Sequence, residues 1–355
     1  MQGRASMRGR GAATNPPNRF ETHVFAPEEA EEARAAEVGR ATTVLTDHAQ
    51  SILSKNNSPD IAFTYSVNPY RGCEHGCAYC YARPTHEYLG YSAGLDFETR
   101  ILAKREAPRL LREALARDSW EPQVVAMSGV TDPYQPIERD LGITRGCIEV
   151  LAEFRNPVGL ITKNAGILRD LDLLASMAEW NGVQVTLSIT TLEPDLARVM
   201  EPRTASPRQR LEVVRILASA GIPVSVLQGP LIPGLTDTEL PAIIEAAAEA
   251  GARSVGYTLL RLPGAVEGIF TDWLQRAVPT KQARVLDRLR QLRGGRLNST
   301  AFGERMRGQG PWREHLAQLH RLGLRRAGLR PTSEELNVND FRRPGGHQLE
   351  LFAGE

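Results

Sequence analysis

Three cysteines crowd into eight residues: Cys73, Cys77 and Cys80, in the run SVNPYRGCEHGCAYCYARPTHEYLG, with C-x3-C-x2-C spacing. Three thiolates on one short loop can each take one iron of a cubane iron–sulfur cluster and leave the fourth iron open to another ligand; a structural site closed by four cysteines has no such opening. Gly72 and Gly76 give this loop the backbone freedom to wrap a cluster. Tyr79, immediately before the third cysteine, is the kind of side chain that packs beside a nucleoside. The competing reading is a zinc site that adds Cys147, His75 or His86, although zinc more often uses two C-x2-C knuckles. Cys147 falls in a helical run and reads as a small buried hydrophobe. His75 reads as a polar filler of the loop and His86 as a hydrogen-bonding support for it. Four cysteines in 355 residues make no disulfide framework and point to a reducing compartment.

The elements around the loop alternate. Strand-like, β-branched runs lie at Ile61–Ser66, Gln123–Ser128, Pro157–Thr162, Val183–Ile189, Pro223–Leu227 and Ser254–Leu260. Helical patterns separate them at Phe97–Arg117, Leu141–Phe154, Ile167–Trp180, Pro207–Ala220 and Thr238–Ala250, with Ser206-Pro207 as a start signal and Gly251 as a stop. Six strands alternating with helices predict a parallel sheet with right-handed crossovers, apolar on both faces. Six units suit a partial barrel better than a closed barrel of eight. In such folds the active residues sit on loops at the carboxyl ends of the strands, where the cysteine loop falls.

Spacing, aromatic and loop position together resemble the radical S-adenosylmethionine (radical SAM) superfamily, whose signature is C-x3-C-x-aromatic-C after the first strand. The runs NPYRGCEHGCAYCYARPTH, SGVTDPYQPIE, ITKNAGILRDLDLL, SITTLEPDLARVMEPR and GPLIPGLTD look like the branch related to spore photoproduct lyase, over about Arg19 to Gly310. The resemblance implies an α/β fold, a partial (β/α)6 barrel with an N-terminal extension and a helical C-terminal region. It implies a [4Fe-4S] cluster on Cys73, Cys77 and Cys80, with S-adenosylmethionine on the open iron. Reductive cleavage then gives methionine and a 5′-deoxyadenosyl radical that abstracts hydrogen from a substrate. It also implies a flavodoxin- or ferredoxin-like electron donor.

By the same resemblance Thr131 and Asp132 meet the SAM amino group, although Asp132-Pro133 also reads as a plain turn. Lys163 and Ser188 match the lyase's contacts to the SAM carboxylate, and a lysine at a strand end in a cleft is costly unless paired. Arg203 either reaches that carboxylate or pairs with Glu201. Gly229, opening GPLIPG, matches a backbone-mediated adenine stretch, and Arg261 ends the last strand where substrate would lie. The lyase carries a hydrogen-returning cysteine after its second strand; here Gly129 stands at that place, which predicts a poor thymine-dimer lyase.

The formal net charge of +1 argues against a protein built for strong non-specific grip on nucleic acid. Charge is uneven, however: residues 281–330 hold 13 basic and 3 acidic side chains, either a solvated helical face or a meeting place for an anionic partner. The expected divisions are 1–58, a partly disordered N-terminal extension; 59–265, the core; and 266–355, a helical basic region. Nothing approaches the roughly 18 apolar residues of a membrane span, so no membrane association and a cytoplasmic location are expected. The substrate is a nucleic acid by family analogy, with a peptide or small molecule, or a non-catalytic metal-binding regulator, as alternatives. Oligomeric state is not legible in the sequence.

Overall fold

Each β-branched run forms a strand at the expected place in the chain. In the structure, a computed structural model, residues 9–20, 41–331 and 335–344 are described. The strands are β1 (Thr43–Thr46), β2 (Leu53–Lys55), β3 (Tyr65–Val67), β4 (Tyr70–Arg71), β5 (Arg100–Ala103), β6 (Val125–Met127), β7 (Val158–Thr162), β8 (Val183–Ser188), β9 (Val224–Leu231) and β10 (Ser254–Leu259). Seven of them make one sheet in the order β10-β9-β8-β7-β6-β3-β2. The six from β3 to β10 in that order run parallel, and β2 adds antiparallel to β3. β10 and β2 are the two edges, so the sheet is an open, partial (β/α)6 barrel as expected. No helix among the described residues is long and apolar enough to cross a membrane.

The helix expected over Phe97–Arg117 is instead three elements. Leu95–Thr99 is a short helix, β5 follows, and a second helix runs Ala107–Ala116. Two causes are evident. Pro108 can only begin a helix, and Ile101 and Ala103 are buried in a second sheet, β1-β5-β4. Tertiary pairing with Thr43–Thr46 overrides the helical periodicity. The first strand is also shorter than read, because only Tyr65–Val67 finds a partner in β6. Elsewhere the start signals hold: Ser206 caps Pro207–Ser219 in a reciprocal box with Gln209.

Helices cover the outer face. Leu111, Leu151, Val214, Leu217, Ile243 and Ile244 are fully buried, each worth about 1.5–3 kcal/mol of transfer free energy. The C-terminal helices, Val266–Ala277, Pro279–Leu292 and Gly310–Arg326, do not stand apart. Phe270, Trp273, Val285 and Leu289 share one apolar cluster with Cys77 and Tyr79, so this region backs the cysteine loop.

The N-terminal extension, expected to be partly disordered, contains a docked strap. Residues 9–20 have no regular structure but lie on the cysteine loop: Gly11 N and Ala12 N donate to Glu98 at 3.2 and 2.8 Å, and Asn18 Nδ2 donates to Glu87 O at 2.9 Å. A side chain at position 11 would lie 1.8 Å from Gly76 O, so only glycine allows this approach. The remaining N-terminal residues, including the acidic run from Glu28 to Glu37, lie outside the described residues.

Beneath the strap, Arg83 and Glu98, both with fully buried side chains, form an ion pair at 2.5 Å. Removing one partner strands the other charge in the interior. Glu98→Met should therefore cost about 3–5 kcal/mol, and Arg83→Met/Glu98→Met should cost less than either single change. Urea unfolding of the three variants measures this; equal midpoints for wild type and Glu98→Met would refute the assignment.

Candidate functional site

The loop between β4 and the helix Leu95–Thr99 carries the three cysteines at the carboxyl end of the parallel sheet. All are free thiols; Cys73 and Cys77 are buried and Cys80 is half-buried. Backbone bonds fix the loop: Cys73 N donates to Phe97 O at 2.8 Å and Ala78 N to Met200 O at 3.0 Å. Arg83 holds Cys77 O with Nε at 3.1 Å and Nη2 at 2.8 Å. Gly72 and Gly76 take left-handed backbone (φ 80° and 62°), and a Cβ on Gly76 would meet the Glu98 carboxylate at 2.6 Å. The glycines thus serve close packing as well as the turn.

Burial raises the pKa of all three thiols. A thiolate there needs counter-charge; Lys163 favours it at Cys77 and Arg83 at Cys80, and a bound metal cation would favour it further. Among the described residues no three Cys, His, Asp or Glu side chains gather as ligands of one ion. Cys147 is remote from the three thiols: it is fully buried in the helix Ile143–Glu153 and belongs to the main core, as the sequence suggested.

Beside the loop, three strand ends converge. Lys163 Nζ, after β7, donates to Ser188 Oγ at 2.5 Å on β8 and to Gly229 O at 2.9 Å on β9. Its ammonium stands 5.9 Å from the Tyr79 ring centroid. Lys163, Ser188, Gly229 and Tyr79, four residues singled out from sequence, therefore form one constellation. Asp132 joins it by another route. Its Oδ1 accepts from Tyr134 N (2.9 Å) and Thr162 Oγ1 (2.7 Å), and its Oδ2 accepts from Lys163 N (2.8 Å) and faces His75 Nδ1 at 3.4 Å. Burial opposes its ionisation, but His75 and the donors outweigh this and lower its pKa. With both oxygens engaged, Asp132 ties the cysteine loop to the ends of β6 and β7. Thr131 is likewise occupied, donating to Tyr70 O at 3.1 Å.

Arg203 does not pair with Glu201. It lies 3.2 Å from Glu74, on the cysteine loop, and Glu201 pairs with Arg210 instead. The reason is burial: Arg210 and Glu201 are both enclosed, whereas Arg203 is partly exposed at the rim. Arg210 Nη1 also donates to Ser188 O at 2.8 Å, and Glu201 accepts from Tyr79 Oη and from Thr190 Oγ1 at 2.7 Å. This support, running from Arg210 to Tyr79, was not legible in the sequence, since a buried Arg at a helix start looks like any solvent-facing one. His86 does not bond the loop as a polar support. It packs on Phe97 and Tyr91, and burial lowers its pKa to about 4, so it is neutral. Gly129 accepts at its carbonyl from Tyr81 Oη (2.6 Å), and a Cβ there would meet nothing closer than 3.6 Å. Space does not demand glycine at that position.

The comparisons with known proteins agree with this arrangement. The family model of the Radical SAM superfamily matches residues 67–247. An uncharacterised protein of Mycobacterium tuberculosis is 39% identical over 230 residues, 64% of this chain and 68% of its own length. One from Methanocaldococcus jannaschii is 30% identical over 175 residues, 49% of this chain and 63% of its own. Among solved structures, a spore photoproduct lyase mutant with bound AdoMet and dinucleoside spore photoproduct superposes with a TM-score of 0.59. The identity is 15%, with 87% of this chain and 85% of that one covered, a likeness of fold.

Burial alone would raise the Glu201 pKa, but Arg210, then Lys163 and the Tyr79 and Thr190 hydroxyls, bring it down from the ordinary 4.5 to about 2. A depressed carboxyl stabilises the fold above its unfolded pKa and loses that contribution as pH falls toward the folded value. Wild type should exceed Glu201→Gln by about 3 kcal/mol at neutral pH. The gap should narrow as pH falls below 4.5. Denaturant midpoints across that range test it; a pH-independent gap would remove Glu201 from the ionised network.

Proposed function

Because this chain belongs to the radical SAM superfamily, we propose that it is an enzyme that uses a [4Fe-4S] cluster on Cys73, Cys77 and Cys80 to open S-adenosylmethionine reductively. The observation that carries the reading is the convergence of Lys163, Ser188 and Gly229 beside a loop of three thiols. When bound, cluster and SAM supply a 5′-deoxyadenosyl radical that takes a hydrogen atom from substrate. An electron donor of flavodoxin or ferredoxin type provides the reductant.

The protein's own contribution is binding, charge and exclusion of water. Lys163 offers its ammonium to the SAM carboxylate, with Ser188 as a second donor. The charge of Asp132 favours the SAM ammonium even though its lone pairs are engaged, and Thr131 fixes the wall beside it. Backbone from Gly229 onward and the face of Tyr79 bound the adenosyl half. Arg203, at the rim on Glu74, serves the mouth rather than the carboxylate. The strap and the cluster of C-terminal apolar residues close the loop against solvent, which a radical requires. Within this reading residues 59–265 carry the cofactor chemistry and the helices Val266–Ala277 and Pro279–Leu292 back it.

The substrate class is a nucleic acid. The support is the shared fold with a lyase whose structure holds a dinucleoside, together with the basic stretch 281–330. Repair of thymine dimers is not the reaction, because Gly129 carries no S–H and Cys147 is buried in the core.

Anaerobic reconstitution with iron and sulfide should give a broad absorbance near about 400 nm that Cys73→Ala, Cys77→Ala or Cys80→Ala removes and Cys147→Ala keeps. The reduced protein should form 5′-deoxyadenosine from SAM, and should fail to return intact thymines from a dinucleotide photoproduct at lyase-like rates. A cluster lost only in Cys147→Ala, or no 5′-deoxyadenosine, defeats the proposal. Lys163→Ala should keep the absorbance while weakening SAM roughly tenfold or more, the usual cost of one charge-assisted hydrogen bond. Unchanged SAM affinity would take Lys163 out of the site.

A further inference from the structure

A group of arginines lies at the open side of the barrel with more positive charge than the surrounding protein balances. Arg293, just past the helix Pro279–Leu292, is only 4% exposed. Its Nη2 donates to Leu260 O at 2.6 Å, but its Nε and Nη1 are buried without a hydrogen-bond partner. Arg261, one residue past Leu260, has its Nε buried and unpartnered too. Its other contacts are weak ones: Nη1 lies 3.6 Å from Met306 Sδ, and the guanidinium carbon is 5.7 Å from the Tyr81 ring centroid. The third member, Arg305, is satisfied. It holds Asp60 Oδ2 at 2.6 Å, and Gly303 N takes Oδ1 at 2.7 Å. The carboxylate beside this group is thus fully used by one arginine and a backbone amide.

Two guanidinium groups with three buried, unpartnered nitrogens are costly in an interior, because a desolvated donor without an acceptor forfeits its bonds to water. The Tyr81 face relieves Arg261 in part but does not touch the deficit at Arg293. Burial, then Arg305, lowers the pKa of Arg261; burial, then Arg261, brings Arg293 down to about 10. An acceptor with negative charge would reverse both effects. The position is informative as well. Tyr81 directly follows Cys80 and donates to Gly129 O, so it spans from the cysteine loop to the end of β6, with Arg261 over its ring. Arg261 therefore lies one side chain from the third cysteine, beside the place where a substrate would meet the radical, with Arg293 behind it on Leu260 O.

We propose that Arg261 and Arg293 form a phosphate subsite that anchors the phosphodiester of the substrate at the side opening, while Tyr81 separates it from the cluster. Guanidinium groups suit phosphate oxygens because their planar N–H donors match them in pairs. The identification of the phosphate as a phosphodiester rests on the nucleic-acid reading above; the anion subsite itself rests on the unpaired donors.

The test uses the full chain and inorganic phosphate as probe, followed by thermal shift and calorimetry against chloride at equal ionic strength. Phosphate should bind and raise the melting temperature of wild type where chloride does not. Arg261→Gln should weaken phosphate about tenfold, and Arg261→Lys, which keeps charge but not the fork, should lie between. Each variant is read against its own melting temperature without phosphate, which separates binding from a change in fold stability. No phosphate-specific binding in wild type, or equal binding in Arg261→Gln, overturns the subsite. A second arm adds thymidylyl-thymidine and its uncharged methylphosphonate analogue as competitors. Displacement of phosphate by the diester alone supports both readings. Phosphate binding lost in Arg261→Gln, with no competition by the diester, keeps the subsite and removes the nucleic acid as its source.

Discussion

The cysteine loop depends on the Arg83–Glu98 pair. A loop that presents three thiols to one cluster has little regular structure to hold it, and its carbonyls need buried partners. Arg83 supplies them, reaching Cys77 O twice and then Ala93 O and Gly94 O at 3.2 and 2.9 Å. Glu98 neutralises that arginine and turns its remaining acceptor capacity to the backbone of Gly11 and Ala12. One enclosed charge pair thereby fixes the loop from within and fastens the strap on top of it. Such a pair adds little net stability over an apolar substitute, so its value here is geometric: it allows one arrangement of the loop and penalises the rest.

A second enclosed pair does the same for the neighbouring strand ends. Glu201 and Arg210 stand behind Tyr79 and Ser188, and Asp132 stands behind the Lys163 backbone. Tyr79, Ser188 and the Lys163 backbone are thus each held by a charged group behind them. Two of these supports, Asp132 and Glu201, are carboxylates kept ionised by their partners despite burial. The site is preorganised by charge compensation more than by hydrogen-bond number, and its shape is bound to the protonation state of those carboxylates.

Much of this was readable in advance because the periodic parts of the chain carry strong local signals. β7 to β10 fall within a few residues of their apolar runs, and Lys163, Ser188 and Gly229 could be found within two residues of strand ends. What escaped is non-local. β5 looks helical until Thr43–Thr46 pairs with it, and residues 9–20 look featureless until Glu98 accepts their amides. Arg203 and Arg210 are alike in sequence, seven residues apart, and only burial assigns Glu201 to the second. Charge partners are chosen by the interior dielectric, which has no sequence period.

The seam of the open barrel is held by Asp60, Ser58 and Arg305, which join the turn before β3 to the loop after Leu292. The hydrogen bonds of Asp60, Ser58 and Arg305 run neither to the thiols nor to the Lys163 constellation, which hang on strands and on the loop between β4 and β5. The clasp closes the edge of the sheet by charge and not by strand pairing, so its grip weakens in high salt while the hydrogen-bonded ladder from β3 to β10 does not.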